Sequence, residues 1–308
     1  MLSRKTKHTV LKIISMFSVV RGYNIPIIAL AQYLSAIFIM ASEKRALDVL
    51  LDFNLFIIVL VSGLTIASGY IINNFYDSKK DLINRPNKSQ LDRLVSQKTK
   101  LQVYFTVNFV VFLLAFFVSF RAVLFFSTYI FLIWFYSHKL KKITIVGNLT
   151  AAFLAVLPFF AILLYYKNLY PEIFAHATFL FLLILIREMI KDLENLKGDV
   201  ANDYQTIPVL YGETFAKKII TALTVSTLIP IYYLIEIFEV GYMDLYFYVS
   251  LIILIFFLQK LWKSNGKPDY LKLHNILKFL VVSGVFCIVL INPSVLLHGK
   301  KIVETIVR

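Results

Sequence analysis

The chain has 308 residues, 59% of them hydrophobic and only 16% charged, against roughly 25% charged in a soluble domain. Apolar runs recur at the ~20-residue length that crosses a bilayer, which excludes a soluble enzyme and predicts an all-α, polytopic membrane protein of one domain over residues 1–308. The net charge of +14 fits cation-rich loops on one membrane face, contact with anionic lipid, and an anionic substrate; it does not fit nucleic acid, because the cations sit in short loops between spans.

The chain opens on Arg4, Lys5, Lys7, Lys12 and Arg21, with no convincing signal peptide, since "IISMFSVV" is short and no small-residue cleavage site follows it. Nine spans are expected: Tyr23–Met40, Leu55–Ile72, Val103–Phe120, Val123–Tyr136, Ile145–Tyr165, Phe174–Ile186, Ile219–Phe238, Leu245–Leu261 and Ile276–Leu297. Pro158 and Pro230 fall inside spans, where a kink is tolerated if neighbours satisfy the freed carbonyls. The N-terminus and the loops after spans two, four, six and eight hold most of the lysines and arginines, which places them in the cytoplasm. Nine spans then put Lys300, Lys301 and Arg308 outside, a mild conflict with that rule. Cys287 is the single cysteine, so no internal disulfide forms. The histidines (His8, His138, His176, His274, His298) lack zinc-ligand spacing.

Polar chemistry concentrates at two places. "IINNFYDSKKDLINRPNKSQLDRL" follows the second span. Asn73, Asp77 and Asp81 are spaced i, i+4, i+8 and line one face if the helix continues; Asn74 adjoins Asp77. After the sixth span, "REMIKDLENLKGDVANDYQTIPVLYG" sets Glu188, Asp192, Asn195 and Asp199 at helical spacing. Charges beside a span are costly and mark function. Hard oxygen ligands in two clusters on one face suit Mg2+ and a phosphate-bearing ligand. A prenyl diphosphate matches both surroundings: its tail belongs in lipid and its diphosphate at the boundary. Mg2+ would ease departure of the diphosphate. Lys141 and Lys142 in the loop after span four, with Arg85 and Arg93 of the first stretch, would bind its oxygens. Tyr70, Tyr76 and Tyr136 offer faces to an allylic cation, although an interfacial aromatic belt would also place them there.

These residues resemble the UbiA superfamily of intramembrane prenyltransferases. That family's N-D-x-x-D-x-x-x-D signature, often followed by N-R-P, is met by Asn73, Asn74, Asp77, Asp81, Asn84, Arg85 and Pro86. Its Y-S-x-x-L-K-R and G-N pattern is met by Tyr136, Ser137, Leu140, Lys141, Lys142, Gly147 and Asn148, with Lys142 in place of arginine. "REMIKDLENLKGD" matches the second acidic signature, "TIPVLYG" the segment after it, and "RGYN" the early R-P-x-N pattern without its proline. The resemblance implies nine helices around a central cavity. It implies Asn73, Asp77, Asp81, Asp192 and Asp199 as holders of Mg2+ and diphosphate, and Lys141 as a diphosphate contact. Arg21 and Asn24 would lie by the substrate cavity, with Tyr136. Turnover would depend on Asp77, Asp192 and Lys141. Asn74 and Asn195 stand where the family usually has aspartate, and each removes one negative charge. The second signature looks most like the branch that joins a geranylgeranyl group to geranylgeranylglyceryl phosphate. Aromatic acceptors such as 4-hydroxybenzoate or a naphthoate are the alternative, and a prenyl-lipid binder or a transporter is the non-enzyme alternative. A transporter would place ionisable groups near the bilayer midplane, whereas these acids crowd one end. No obligate protein partner is evident.

Overall fold

The computed structural model describes residues 4–295. Thirteen helices follow one another: α1 (Arg4–Val19), α2 (Gly22–Met40), α3 (Ala46–Leu50), α4 (Phe53–Asn84), α5 (Pro86–Asp92), α6 (Gln97–Val118), α7 (Phe120–His138), α8 (Val146–Tyr166), α9 (Pro171–Glu194), α10 (Leu196–Val200), α11 (Ile207–Ile237), α12 (Gly241–Lys263) and α13 (Lys267–Ile291). Among the described residues nine of these are long and apolar enough to cross a membrane: α2, α4, α6 to α9 and α11 to α13. That number and order match the expected spans. The chain divides into two compact units, one of Met1–Ala29, Ile57–Leu154 and Asn195–Phe215, the other of Leu30–Phe56, Ala155–Glu194 and Ala216–Arg308.

The first unit contains most of α4, whose length matters for function. Its expected apolar stretch ended at Ile72, yet the helix runs 32 residues to Asn84. At 1.5 Å per residue this is ~48 Å, against a hydrocarbon layer of ~30 Å. The last turns therefore carry the polar stretch clear of the apolar layer on a rigid rod. Pro86 begins α5 after Arg85, which has left helical geometry, as a proline at a helix's first turn favours. Helices α6 and α7 are joined by Ser119 alone, whose extended backbone and side-chain oxygen cap α7 through the Ala122 amide. Pro158 in α8 cannot donate to the Leu154 carbonyl. The buried Tyr129 hydroxyl donates to that carbonyl at 2.9 Å instead, so a neighbour satisfies the carbonyl that the proline frees.

The N-terminal cations begin α1, which precedes the first span. Its buried Ser15 donates to the Leu91 carbonyl and Ser18 to Asp92 Oδ1, each at 2.8 Å. Val10, Leu11, Ile14 and Phe17 are exposed.

In the second unit, α9 and α13 pack together. Phe179 meets Tyr246 and Phe247 edge-on, and the Tyr246 hydroxyl donates to the Leu280 carbonyl at 3.0 Å. Helix α13 starts at Lys267, earlier than expected. The expected end of that span at Leu297, together with His298, Lys300, Lys301 and Arg308, lies outside the described residues.

Candidate active site

The i, i+4, i+8 spacing along α4 brings Asn73, Asp77 and Asp81 onto one helical face. Lys141 reaches that face from the 3-10 turn Leu140–Lys142 after α7. Its Nζ lies 2.6 Å from Asp77 Oδ1 and donates to Asn73 Oδ1 at 3.3 Å. The turn is held from two sides. Gly147 packs so closely that a Cβ there would meet the Lys141 carbonyl at 3.0 Å. The Gln205 amide donates to the Lys142 carbonyl at 3.0 Å, and Thr144 Oγ1 to the Gln205 carbonyl at 2.5 Å.

The Gln205 contacts tie the lysine turn to the segment after the second acidic stretch, and that segment adds a residue the sequence reading missed. Tyr204, buried, donates its hydroxyl to Asp77 Oδ1 at 2.7 Å. The Lys80 Nζ lies 3.9 Å from the centre of the Tyr204 ring, and the Lys142 Nζ 5.2 Å. Lys80 also bridges to Asp199 Oδ1 at 2.5 Å. Asn73, Asp77, Lys80, Lys141, Lys142, Asp199 and Tyr204 thus form one connected cluster in the first unit. Residues of both acidic stretches meet there, at the same helix end. Burial raises the Tyr204 hydroxyl pKa above the usual phenol range and the adjoining Asp77 charge adds to it, so Tyr204 remains a donor. Burial lowers the Lys141 pKa, opposed by the Asp77 carboxylate. The Lys141 ammonium is also 5.8 Å from the centre of the Tyr76 ring.

Other expected residues fall in place around this cluster or apart from it. Asp81 is half-buried and feels the charges of Asp77, Arg85, Lys88 and Arg21. Arg21, in a left-handed backbone conformation, stacks over the Tyr70 ring at 5.0 Å, and Asn24 Nδ2 donates to the Tyr70 hydroxyl at 3.3 Å. Tyr136 is half-buried and Arg93 exposed. Asn74 departs from the expectation of a metal ligand. Its Oδ1 accepts from Lys100 Nζ at 2.8 Å and its Nδ2 donates to Asp92 Oδ2 at 2.9 Å. All three side chains are buried, so both amide atoms of Asn74 belong to a separate polar core shared with Ser18.

The second stretch also differs from a single continuous helical face. Glu188 and Asp192 lie on α9, but that helix stops at Glu194, and Asn195 leaves helical geometry before α10 begins. Asn195 and Asp199 therefore do not extend the α9 face. Just past the break Gly198 packs tightly: a Cβ there would sit 2.3 Å from the amide of buried Asn84. Replacing Gly198 with alanine is expected to cost about 1–3 kcal/mol by overpacking and to displace the neighbouring Asp199; thermal unfolding in detergent measures it. Glu188, in the second unit, is held by Lys191 at 2.5 Å and Arg187 at 3.5 Å. Asp192 is half-buried, and the buried Glu194 meets His274 at 3.1 Å.

The donor set suits a hard divalent cation. Asn73 and Asp77 present oxygens to which a protein cation, Lys141, is already drawn. Asn195 Oδ1 is buried with no hydrogen-bond partner among the described residues, and an acceptor without a donor is costly unless a cation or donor meets it. Among the described residues no three His, Cys, Asp or Glu side chains are gathered into a ready cage, so amide oxygens and substrate oxygens would have to complete the coordination. Tyr204→Phe keeps the ring under Lys80 but removes the donor to Asp77. It is expected to lower turnover about tenfold, the effect of one lost charge-assisted hydrogen bond, while unfolding temperature stays within a few degrees; steady-state assay and melting separate the two.

Known proteins share this arrangement of helices. The digeranylgeranylglyceryl phosphate synthase of Methanobrevibacter smithii is 28% identical over 258 residues, 77% of this chain and 89% of that one. The protein of that name from Sulfurisphaera tokodaii is 26% identical over 275 residues, covering 84% and 92%. Among solved structures, one described as a digeranylgeranylglyceryl phosphate synthase superposes with a TM-score of 0.68 at 20% identity, covering 91% of this chain and 98% of the other. A UbiA homologue from Archaeoglobus fulgidus bound to GPP and Mg2+ gives 0.66 at 16% identity, covering 89% and 99%. At those identities the structural likeness speaks for the fold. The sequence match to the UbiA prenyltransferase family runs from residue 29 to residue 292, taking in both acidic stretches and the lysine turn between them, and it makes this chain a member of that family.

Proposed function

We propose that this prenyltransferase moves a geranylgeranyl group from geranylgeranyl diphosphate to the hydroxyl of geranylgeranylglyceryl phosphate, with Mg2+, as a step of ether-lipid synthesis. The acceptor is supported by the names of the relatives from M. smithii and S. tokodaii, and the metal and donor class by the Archaeoglobus fulgidus homologue described with GPP and Mg2+. One observation carries the reading of the site: Asp77 is held by Lys141 and Tyr204 while Lys80 of the same helix grips Asp199. Carboxylates and ammonium groups are thereby concentrated at the polar end of a long apolar helix, where a lipid-borne polyanion would present its head.

In this reading the bond from prenyl C1 to the diphosphate oxygen breaks and its electron pair leaves on diphosphate. The acceptor oxygen forms the new bond to C1 and its proton is released. Mg2+, when bound, neutralises the departing diphosphate. Asn73, Asp77, Asp81 and Asn195 would hold the metal in the first unit, and Glu188 and Asp192 are the metal-binding carboxylates proposed for the second stretch. Lys141, Lys142 and Arg85 would bind diphosphate oxygens, with Arg93 an outer contact. Tyr70 and Tyr76, over which Arg21 and Lys141 already sit, offer faces to the allylic cation. Arg21, Asn24 and Tyr136 would border the prenyl cavity. The chain works as one domain without an obligate protein partner. Its site faces the cytoplasm, as the cation-rich loops favour.

Purified full-length protein with labelled geranylgeranyl diphosphate and Mg2+ tests this. Ether-lipid product with geranylgeranylglyceryl phosphate is expected. Transfer only to 4-hydroxybenzoate or a naphthoate would overturn the acceptor, and no release of diphosphate with any acceptor would leave a binder or transporter.

A further inference from the structure

We propose that Lys80 is a built-in cation of this site: it takes the place of a metal ion at Asp199 and offers its ammonium to the donor's diphosphate. The inference rests on the prenyl-diphosphate reading above, but it assigns Asp199 the role of counter-ion in place of metal ligand. Asp199 is 0% exposed, while the Lys80 side chain that reaches it at 2.5 Å keeps 16% exposure. The carboxylate is thus enclosed, and the lysine side chain that neutralises it keeps partial access to solvent. Lys80 lies one helical turn from Asp77, and the Tyr204 ring 3.9 Å from its Nζ fixes its direction. The same ring is flanked by Lys142 and its hydroxyl is bonded to Asp77, which also holds Lys141. Around Tyr204, three ammonium groups (Lys80, Lys141, Lys142) accompany the carboxylates Asp77 and Asp199, with Asp81 close enough to act on Asp77 and Lys141. Lys80 already neutralises Asp199, so a divalent ion there would have to displace an ammonium already seated on it.

Two binding readouts on the full chain in detergent need neither acceptor nor turnover: the number of Mn2+ ions bound, by EPR titration with inorganic pyrophosphate present, and the pyrophosphate Kd. Asp199→Asn is expected to keep the wild-type Mn2+ number and to bind pyrophosphate at least as tightly as wild type, since Lys80 then has no competing carboxylate. Lys80→Met is expected to weaken pyrophosphate binding about tenfold, the loss of one charge-assisted contact, with Lys80→Arg within threefold of wild type. Lys80→Met strands a buried carboxylate and risks misfolding. The paired change Lys80→Met with Asp199→Asn removes both charges together and should fold and still bind pyrophosphate at least threefold more weakly. Loss of a bound Mn2+ in Asp199→Asn overturns the assignment, since Asp199 would then be a ligand. Pyrophosphate binding by the paired variant within threefold of wild type overturns it too, because Lys80 would then serve only to neutralise Asp199. Wild-type protein that binds neither Mn2+ nor pyrophosphate would sink the donor reading of the whole site, and this assignment with it.

Discussion

Asp77→Ala is expected to abolish prenyl transfer, by about a thousandfold or more, because it removes the carboxylate on which the whole cluster converges. Asp77 Oδ1 accepts from Lys141 at 2.6 Å and from Tyr204 at 2.7 Å. Alanine would also leave a buried ammonium and a buried hydroxyl without their shared acceptor. Breaking a buried ion pair from one side costs about 3–5 kcal/mol, a large share of a typical protein's stability. Loss of activity in Asp77→Ala alone could therefore come from misfolding. Asp77→Asn separates the causes. Its amide oxygen can still accept from Tyr204 and Lys141 with nearly the same shape, but it brings no charge to a divalent ion. A variant that melts near the wild-type temperature yet releases no diphosphate assigns the carboxylate to chemistry. Turnover within tenfold of wild type in Asp77→Asn would show that Asp77 is not where the metal is held.

The parts of this site that were legible in the sequence are those set by helical period and by charge beside an apolar run. Asn73, Asp77 and Asp81 share a face because a helix repeats every 3.6 residues, and that is a local property. The nine spans were legible because burial in lipid demands length and apolarity. Span ends were less so: α4 continues twelve residues past the apolar stretch, held by pairings that hydropathy does not register. Asn74 illustrates the limit. Motif spacing sets it among ligands, whereas its amide is taken by Lys100 and Asp92, residues that only the turn into α6 brings near. Tyr204 and Lys80 gain no role from the sequence for the same reason. An aromatic ring and a lysine in a polar stretch look like interface and solvated charge until the chain returns, more than a hundred residues later, to set Tyr204 on Asp77 and Asp199 on Lys80. The break at Asn195 was hidden as well, since the helical spacing of Glu188, Asp192, Asn195 and Asp199 runs straight through it.

Lys141→Met is expected to move two affinities in opposite directions. Without donor, Lys141 occupies the oxygens of both Asn73 and Asp77, so its ammonium competes with any divalent ion for the same ligands. Methionine fills much of the same volume and removes that competitor, and the bare variant should bind Mn2+ several-fold more tightly than wild type. With donor present the ammonium is drawn to diphosphate oxygens, where a charge-assisted hydrogen bond contributes about 1.5–3 kcal/mol. Its loss should raise the Michaelis constant for the prenyl donor by roughly ten- to a hundredfold, with little change in that for the acceptor. A merely structural lysine would not produce this pairing, since loosening of the site would weaken metal and donor alike. Arginine is a poor substitute here: Lys141 is buried on a turn closed by Gly147, and the wider, planar guanidinium would have to fit where a compact ammonium meets two oxygens at once. Weaker Mn2+ binding in Lys141→Met, or an unchanged donor Michaelis constant, would mean that the lysine holds the turn against α4 and does no more. Tighter metal with weaker donor would identify it as the group that yields its place to the metal when the diphosphate arrives.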